Sequence, residues 1–273
     1  MPELPEVETI RRGLAPRVEG RRIVDVTVRE RRLRWPVERD LEVALVGRSV
    51  QALQRRAKYL LWRVDDATLL VHLGMSGALR LVEAGSPPHK HDHIDLHVED
   101  GSVVRFSDPR RFGAWILAPG DASEHPLLRD LGPEPLGPDF DGELLWQALR
   151  RRRCAIKLAL MDSHVVVGAG NIYANEALFA AGIRPTNPAF SLSRPRVDRL
   201  AQALKRVLAR AVQEGGTTLR DGGFVNSAGQ PGYFQQTLSV YDRAAQPCVR
   251  CKRAIRVISL AQRSTYYCPR CQR

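Results

Sequence analysis

The first residues of the chain place a secondary amine beside a carboxylic acid. Removal of Met1 exposes Pro2 as a free amine next to Glu3. An amine nucleophile beside a general acid is suited to Schiff-base chemistry at an aldehyde carbon. The iminium of a secondary amine carries no N–H, so it stays cationic as an electron sink. The same residues also suit a plain helix start, since proline and acids are common in a first helical turn. Taken alone, the dipeptide leaves both interpretations open.

Four of the five cysteines form two C-x-x-C pairs. Cys248 and Cys251 make the first pair, and Cys268 and Cys271 the second, with 16 residues between the pairs. This spacing is typical of a four-thiolate structural zinc site. Two disulfides or a redox pair are the alternatives, but the cytosol disfavours disulfides and a redox motif normally occurs alone near a βαβ unit. The sequence therefore predicts one zinc ion that stabilises the fold and takes no part in catalysis. Cys154 has no partner in this pattern.

Length and charge limit the class of protein. The 273 residues are enough for two domains, and 42 Lys and Arg against 30 Asp and Glu give a net charge of +12. This excess indicates a polyanionic partner, most often nucleic acid. The sequence has no apolar run long enough to span a membrane and no signal peptide. We expect a soluble cytosolic protein.

Apolar periodicity divides the chain into three parts. A helix over 5–19 precedes short alternating strands, predicted at 23–28, 59–64, 69–73, 79–82, 94–98 and 103–106. Many strands without intervening helices favour an antiparallel sandwich or barrel. A Gly- and Pro-rich linker at 131–138 leads into four helices, predicted at 144–153, 156–161, 172–181 and 195–214. The last 35 residues have the pattern of a small β unit.

Seven short segments and the cysteines together resemble a known family. The segments are PELPEVET at 2–9, RAKY at 56–59, HLGMSG at 72–77, DPRRFG at 108–113, GAGNIYA at 168–174, GGTT at 215–218 and QR at 262–263. In this order they resemble the bacterial formamidopyrimidine-DNA glycosylases, which are related to endonuclease VIII. Those base-excision enzymes remove oxidised purines and nick the abasic strand. The resemblance covers essentially the whole chain.

The resemblance implies an α+β multidomain fold. Residues 1–130 would form a catalytic β-sandwich with a leading helix, and residues 131–235 a helical helix–two-turn–helix domain with a lesion-recognition loop. Residues 236–273 would form a zinc-ribbon β-hairpin. The loop is the irregular glycine-rich stretch 217–233, expected to close over the damaged base. The sequence departs from the family pattern at Arg220, where lysine is expected, and at Ala169, where valine or another small residue occurs.

The resemblance also implies four catalytic roles. Pro2 would attack C1′ of the damaged nucleotide, and Glu3 would act as general acid for opening of the sugar ring. Lys58 corresponds to the lysine associated with β-elimination. Arg263 corresponds to the arginine assigned to δ-elimination, but a guanidinium does not readily give up a proton. We therefore interpret Arg263 chiefly as a phosphate clamp and electrostatic aid.

Reaching a base inside a duplex requires extruding it and filling the gap. By resemblance, Met75, Arg110 and Phe112 would fill that gap, with Arg110 bonding the orphaned base. Backbone contacts are expected from His91, Arg152, Lys157 and Asn171. The histidines at 89, 91 and 93 also have metal-like spacing, although alternate residues of a strand face opposite ways.

The sequence thus predicts a bifunctional DNA glycosylase and AP lyase. Its partner would be damaged double-stranded DNA, and its only cofactor would be one structural zinc ion. The protein would act as a monomer and would be associated with the nucleoid. One alternative is an endonuclease VIII-like enzyme for oxidised pyrimidines, although Leu4 and the glycine-rich loop favour the purine branch. The other alternative is a basic zinc-ribbon protein that binds nucleic acid without catalysis, which would leave Pro2, Glu3 and Lys58 unexplained.

Overall fold

The computed structural model describes residues 2–218 and 225–273, which form two compact units. The first comprises Met1–Arg129 with Glu214–Tyr233, and the second comprises Asp130–Gln213 with Phe234–Arg273. Arg220 and part of the expected lesion-recognition loop lie outside the described residues. Within the described ranges, no helix is both long and apolar enough to cross a membrane.

The leading helix, α1 (Leu4–Val18), supplies one wall of the core of the first unit. Its apolar residues Val7, Ile10, Leu14 and Val18 are all fully buried. Their helical spacing places them on one face, which packs against strand β2 (Val50–Arg56). The helix that the sequence predicts at 5–19 is present, and its first turn carries Pro5.

Two four-stranded antiparallel sheets make up the rest of the first unit. Besides β2, the strands are β1 (Ile23–Val28), β3 (Tyr59–Val64), β4 (Ala67–His72), β5 (Ala78–Val82), β6 (Asp92–Val98), β7 (Val103–Ser107) and β8 (Ala114–Pro119), and a short helix α2 (Leu41–Leu45) follows β1. One sheet has the order β1-β6-β7-β5 and the other β2-β3-β4-β8. Side chains from both sheets share one apolar core. Phe106 of β7 meets Trp115 of β8 at a ring-centroid distance of 5.8 Å. The predicted sandwich is confirmed.

The second unit is mainly helical. Its helices are α3 (Gly142–Leu149), α4 (Ile156–Met161), α5 (Asn171–Ala181) and α6 (Arg194–Gln213). Helix α6 buries Val197, Leu200, Leu204 and Leu208 along one face, against α3 and α5. Two turns between α4 and α5 contain Gly168, whose φ of 85° is in the left-handed region that glycine tolerates. The helix–two-turn–helix arrangement is confirmed.

A two-stranded hairpin completes the second unit. Strands β9 (Arg256–Leu260) and β10 (Arg263–Tyr267) are antiparallel, with Leu260 opposite Arg263. The two residues between them, Ala261 and Gln262, have φ angles of 47° and 60°. A two-residue turn with positive φ at both positions matches the right-handed twist of the strands, but it strains residues other than glycine. This turn presents Arg263 at the start of β10.

Candidate active site and metal centre

Pro2 and Glu3 lie at the start of α1. Pro2 is buried, and Glu3 is 2% exposed at the N-cap position of the helix. The backbone N–H of Glu3 donates to Glu6 Oε2 at 2.8 Å, so a side chain of the first turn holds the residue next to the amine. The helix start thus fixes the backbone at Pro2-Glu3, so the two interpretations of the dipeptide are compatible.

Lys58 lies in the tight turn that joins β2 to β3. The preceding residue, Ala57, has a positive φ of 55°, and its carbonyl accepts a hydrogen bond from Arg55 Nη1 at 2.9 Å. Arg55 also pairs with Glu8 of α1, with Nε and Oε2 3.2 Å apart. Burial raises the pKa of Glu8, but hydrogen bonds from arginines outweigh it and leave the pKa below its usual value. Glu8 and Arg55 thus tie the Lys58 turn to the helix that carries Pro2.

His72 connects this region to the next loop. It lies at the end of β4 opposite Tyr59, with ring centroids 4.8 Å apart, and its Nδ1 accepts from the Gly74 N–H at 3.1 Å. Burial, followed by the positive charges of Lys58 and Arg34, lowers the pKa of His72 to about 4. The imidazole is therefore neutral at physiological pH, as the acceptor role of Nδ1 requires. The sequence includes His72 in a motif but assigns it no role.

The shifted pKa of His72 predicts a pH dependence of stability. The unfolded chain protonates this histidine near pH 6.5 and the folded chain near pH 4, so stability falls as pH drops through that window. We expect a loss of up to about 1.4 kcal/mol per pH unit, because the unfolded state alone takes up the proton. Urea unfolding of wild type and His72→Asn between pH 7.5 and 4.5 measures this. A pH slope that is equal in the two proteins would contradict the assignment.

The three predicted gap-filling residues come from two neighbouring loops. Met75 and Phe112 are each 40% exposed, although both side chains are large and apolar. Arg110 is exposed, and its Cζ lies 4.7 Å from the centroid of the Phe112 ring. The loops touch at Gly74, where a Cβ would come within 2.4 Å of the Phe112 carbonyl carbon. The two loops that carry these exposed side chains are therefore in contact.

Asp108 holds these two loops together. Its carboxylate is fully buried and accepts from Ser76 Oγ at 2.6 Å and from the Gly113 N–H at 2.8 Å. The Arg110 N–H points to the same carboxylate at 3.3 Å. The sequence includes Asp108 in a motif but predicts no role for it. An aspartate that begins a turn commonly bonds to backbone N–H groups just beyond it, and this was the available signal.

Replacement of Asp108 by asparagine should destabilise both loops. Asparagine has one acceptor oxygen where the carboxylate has two, so a buried donor loses its partner at a cost of about 1–3 kcal/mol. We expect the free energy of unfolding to fall by that amount. Asp25→Asn, at a side chain that is 61% exposed, is the matched control and should change stability little. Equal stability of wild type and Asp108→Asn would refute the role of this carboxylate.

His91 lies just before β6 and is half-buried. Its carbonyl accepts from the Asp108 N–H at 3.0 Å, and His93 Nε2 lies 2.8 Å from the Asp108 carbonyl. These contacts fix the backbone at His91 next to the loop that carries Arg110 and Phe112. Among the described residues, the cysteines alone form a cluster that fits a metal ion, so the histidine spacing marks no metal site there.

The four predicted zinc ligands converge at the end of the second unit. The sulfur atoms of Cys248, Cys251, Cys268 and Cys271 all lie within 4.8 Å of one another. Two of the separations are 3.9 Å, between Cys248 and Cys271, and 3.4 Å, between Cys251 and Cys268. Zn–S bonds of about 2.3 Å in a tetrahedron separate the sulfurs by about 3.8 Å. The four thiols therefore fit one zinc ion, as the sequence predicts. Cys154 is exposed and lies outside this cluster.

Lys157 is buried in the structure, whereas the family resemblance implies that it contacts the DNA backbone. Its side chain is fully buried, and Nζ donates to the Ser264 carbonyl at 2.9 Å and to Thr265 Oγ1 at 2.7 Å. Both acceptors belong to β10, directly after the exposed Arg263. Because the ammonium group is enclosed by these acceptors, Lys157 positions the strand that carries Arg263 and does not face solvent.

Two further predicted residues lie near the two turns between α4 and α5. Asn171 begins α5, and its buried Oδ1 has no hydrogen-bond partner within the described part of the chain. Arg152 is partly exposed and pairs with Asp162 at 3.0 Å. A phosphate that binds Arg152 would have to compete with that carboxylate.

Helix α5 also anchors the segment that leads to the cysteines. The buried Glu176 accepts from the backbone N–H groups of Ser239, Val240 and Tyr241, each at 2.9 Å. Burial raises the pKa of Glu176 above its usual value, although these hydrogen bonds act to lower it. Sequence reasoning did not find this residue, because a glutamate inside a helix has no distinguishing pattern.

Comparisons with known proteins agree with this architecture. Three family profiles match consecutive parts of the chain: the formamidopyrimidine-DNA glycosylase N-terminal domain at residues 1–115, the H2TH domain of the same enzyme at 131–222, and a zinc finger found in FPG and IleRS at 245–273. A formamidopyrimidine-DNA glycosylase of Pseudomonas aeruginosa is 57% identical over 275 residues, with both chains fully covered. The chain belongs to the formamidopyrimidine-DNA glycosylase family, and the resemblance seen in the sequence is confirmed.

Solved structures of formamidopyrimidine-DNA glycosylases are also similar to this chain over nearly its full length. The MutM (FPG) protein of Thermus thermophilus is 39% identical with a TM-score of 0.88, covering 99% of this chain and 98% of that one. A Lactococcus lactis FPG variant in complex with DNA containing Fapy-dG is 35% identical with a TM-score of 0.92, and both chains are fully covered.

Proposed function

We propose that this chain excises oxidised purines from double-stranded DNA and then cleaves the strand by β,δ-elimination, with Pro2 as the nucleophile. The main support for this function is the buried Pro2-Glu3 dipeptide at the start of α1, in a chain that matches formamidopyrimidine-DNA glycosylases over its full length. The Lactococcus lactis relative that binds Fapy-dG DNA supports a damaged purine as the substrate.

The first step forms a covalent bond between the protein and the sugar. The lone pair of the Pro2 amine, free after removal of Met1, attacks C1′, and the glycosidic bond breaks with its electrons leaving on the base. Loss of the amine proton and cleavage of the C1′–O4′ bond give an iminium. Glu3 donates a proton to O4′ as the ring opens. The iminium has no N–H to lose, so it keeps its charge.

Strand cleavage follows from that charge. The iminium acidifies the C2′ proton, whose removal expels the 3′ phosphate, and a second elimination expels the 5′ phosphate. Lys58 would assist the first elimination. Arg263 would hold a phosphate and stabilise its negative charge during the second, since a guanidinium stays charged.

The remaining residues would bind and deform the duplex. Met75 and Phe112 would fill the gap left by the extruded nucleotide, and Arg110 would bond the orphaned base. His91, Arg152 and Asn171 would contact the backbone, while Lys157 acts through β10. The net charge of +12 supports binding to the negatively charged DNA backbone. Each neutralised phosphate should contribute about −0.9 to the slope of log affinity against log salt.

Zinc would stabilise the hairpin without taking part in the chemistry. The four cysteine sulfurs would fill its coordination sphere and would leave no position for water or substrate. We propose that the enzyme acts as a monomer in the cytoplasm, at the nucleoid, and that it needs no organic cofactor.

A substrate comparison tests this function. Duplexes containing 8-oxoguanine or thymine glycol separate the oxidised-purine reaction from the oxidised-pyrimidine reaction of the endonuclease VIII branch. We expect single-turnover excision of 8-oxoguanine to be at least about tenfold faster, a difference of about 1.4 kcal/mol in the barrier. Faster excision of thymine glycol would favour the pyrimidine branch, and binding without excision of either base would indicate a non-catalytic protein.

A further inference from the structure

Glu6 is a buried acid that takes no part in the chemistry described above. Its side chain lies in the first turn of α1 and is 1% exposed. One carboxylate oxygen, Oε2, accepts from the Glu3 N–H at 2.8 Å, and the other, Oε1, accepts from the Thr217 N–H at 2.7 Å. Thr217 is 3% exposed. A single carboxylate thus joins the residue beside the nucleophile to one that lies 211 positions after Glu6.

The segment that follows Thr217 touches α1 a second time. Ser227 is buried against Gly13, where a Cβ would lie only 1.9 Å from Ser227 Oγ. The Ser227 carbonyl also accepts from the Leu81 N–H of β5 at 2.8 Å. The described residues on both sides of 219–224 therefore pack against other parts of the first unit.

The two ends of this segment are also held together. The Gly232 N–H donates to Thr218 Oγ1 at 2.7 Å, and the Tyr233 N–H donates to the Glu214 carbonyl at 3.0 Å. A Cβ at position 232 would lie 2.4 Å from the Gly216 carbonyl oxygen, so this close approach requires glycine. The position of the Thr217 N–H thus depends on how the ends of the segment pack.

We propose that Glu6 is a positioning residue that couples the packing of residues 214–218 and 225–233 to the placement of Pro2 and Glu3. This inference rests on the proposed function, in which Pro2 attacks the sugar, and on the family resemblance, which implies that the stretch 217–233 closes over the damaged base. A buried carboxylate that accepts two N–H bonds holds both donors, because a buried donor without a partner is costly. The part of the protein that would recognise the base therefore sets the geometry of the nucleophile.

Glu6→Gln tests the coupling, because glutamine has only one acceptor oxygen for the two N–H donors. With an abasic duplex and borohydride, we expect the covalent adduct to form at least about tenfold more slowly than in wild type. The dissociation constant for DNA should stay within about twofold, and hydrogen exchange at 214–218 should speed up. Glu19→Gln is the matched control, since Glu19 caps the other end of α1 and accepts a backbone N–H, from Leu53 at 2.7 Å. It should keep close to the wild-type rate.

A second variant isolates the bond to the segment. An amide-to-ester replacement at Thr217 removes the N–H donor and leaves Glu6 unchanged. We expect the same slow adduct formation as in Glu6→Gln. A wild-type rate in either variant, or an equal loss in Glu19→Gln, would overturn the coupling. If wild type itself forms no adduct, the proposed function fails; if wild type reacts and Glu6→Gln reacts equally fast, only the coupling fails.

Discussion

Pro2→Gly is expected to lower the rate of base excision and of adduct formation at least about a hundredfold, which corresponds to about 2.7 kcal/mol of transition-state stabilisation. The substitution keeps an N-terminal amine but makes it primary, so its Schiff base can lose a proton and become neutral. It also removes the ring that fixes the backbone at the buried start of α1. Single-turnover kinetics with an 8-oxoguanine duplex measures the loss.

Pro5→Ala is the matched control for this experiment. Pro5 is also buried in the first turn of α1, but its nitrogen is part of a peptide bond and has no nucleophilic role. We expect this variant to stay close to the wild-type rate. A similar loss in both variants would show that the Pro2 effect comes from the fold of the helix start, and a wild-type rate in Pro2→Gly would rule out dependence on the proline ring.

Removal of zinc is expected to weaken DNA binding at least about a hundredfold, because the ion holds the hairpin that carries Arg263. Structural zinc binding to four cysteines supplies about 10–16 kcal/mol, which is comparable to the whole stability of a domain. The small hydrophobic cluster around Phe179 and Ile255 includes Cys248 and Cys268, so loss of the ion also disturbs the packing there. Arg263 on β10 then loses its fixed position. Fluorescence anisotropy with an abasic duplex, before and after chelation, measures the loss.

Two cysteine variants make the zinc prediction specific. Cys268→Ser removes a buried ligand and should reproduce the effect of chelation, whereas Cys154→Ser alters an exposed cysteine outside the cluster and should bind DNA normally. Unchanged affinity after verified loss of zinc would contradict the proposed role of the hairpin.

The elements with the clearest periodicity were predicted well from the sequence. Helix α4 has the predicted bounds, and α5 and α6 begin within one residue of theirs. The strands of the sheet β1-β6-β7-β5 were all found, because their inward residues alternate or form apolar runs. The strands of the first unit that were missed, β2 and β8, are the edges of the other sheet. Strand β2 is largely polar and β8 ends in proline, which weakens a strand pattern.

The metal site was predictable because two C-x-x-C pairs define it by residue type and spacing. Residue type and position also mark the Pro2-Glu3 dipeptide as a candidate, and its catalytic role stays a prediction. Side chains that position others are harder to find, since Glu6 and Asp108 gain their importance from donors that the fold brings to them. Lys157 is a different case, because the family resemblance implies a contact with the DNA backbone whereas the structure buries its side chain against β10.

The location of the covalent bond tests the central claim most directly. The enzyme is incubated with an abasic duplex and borohydride, and the adduct is digested and analysed by mass spectrometry. The account predicts an N-terminal peptide that lacks Met1 and carries the reduced sugar on the nitrogen of Pro2. A sugar on Lys58 or another lysine, or an active enzyme that retains Met1, would contradict it.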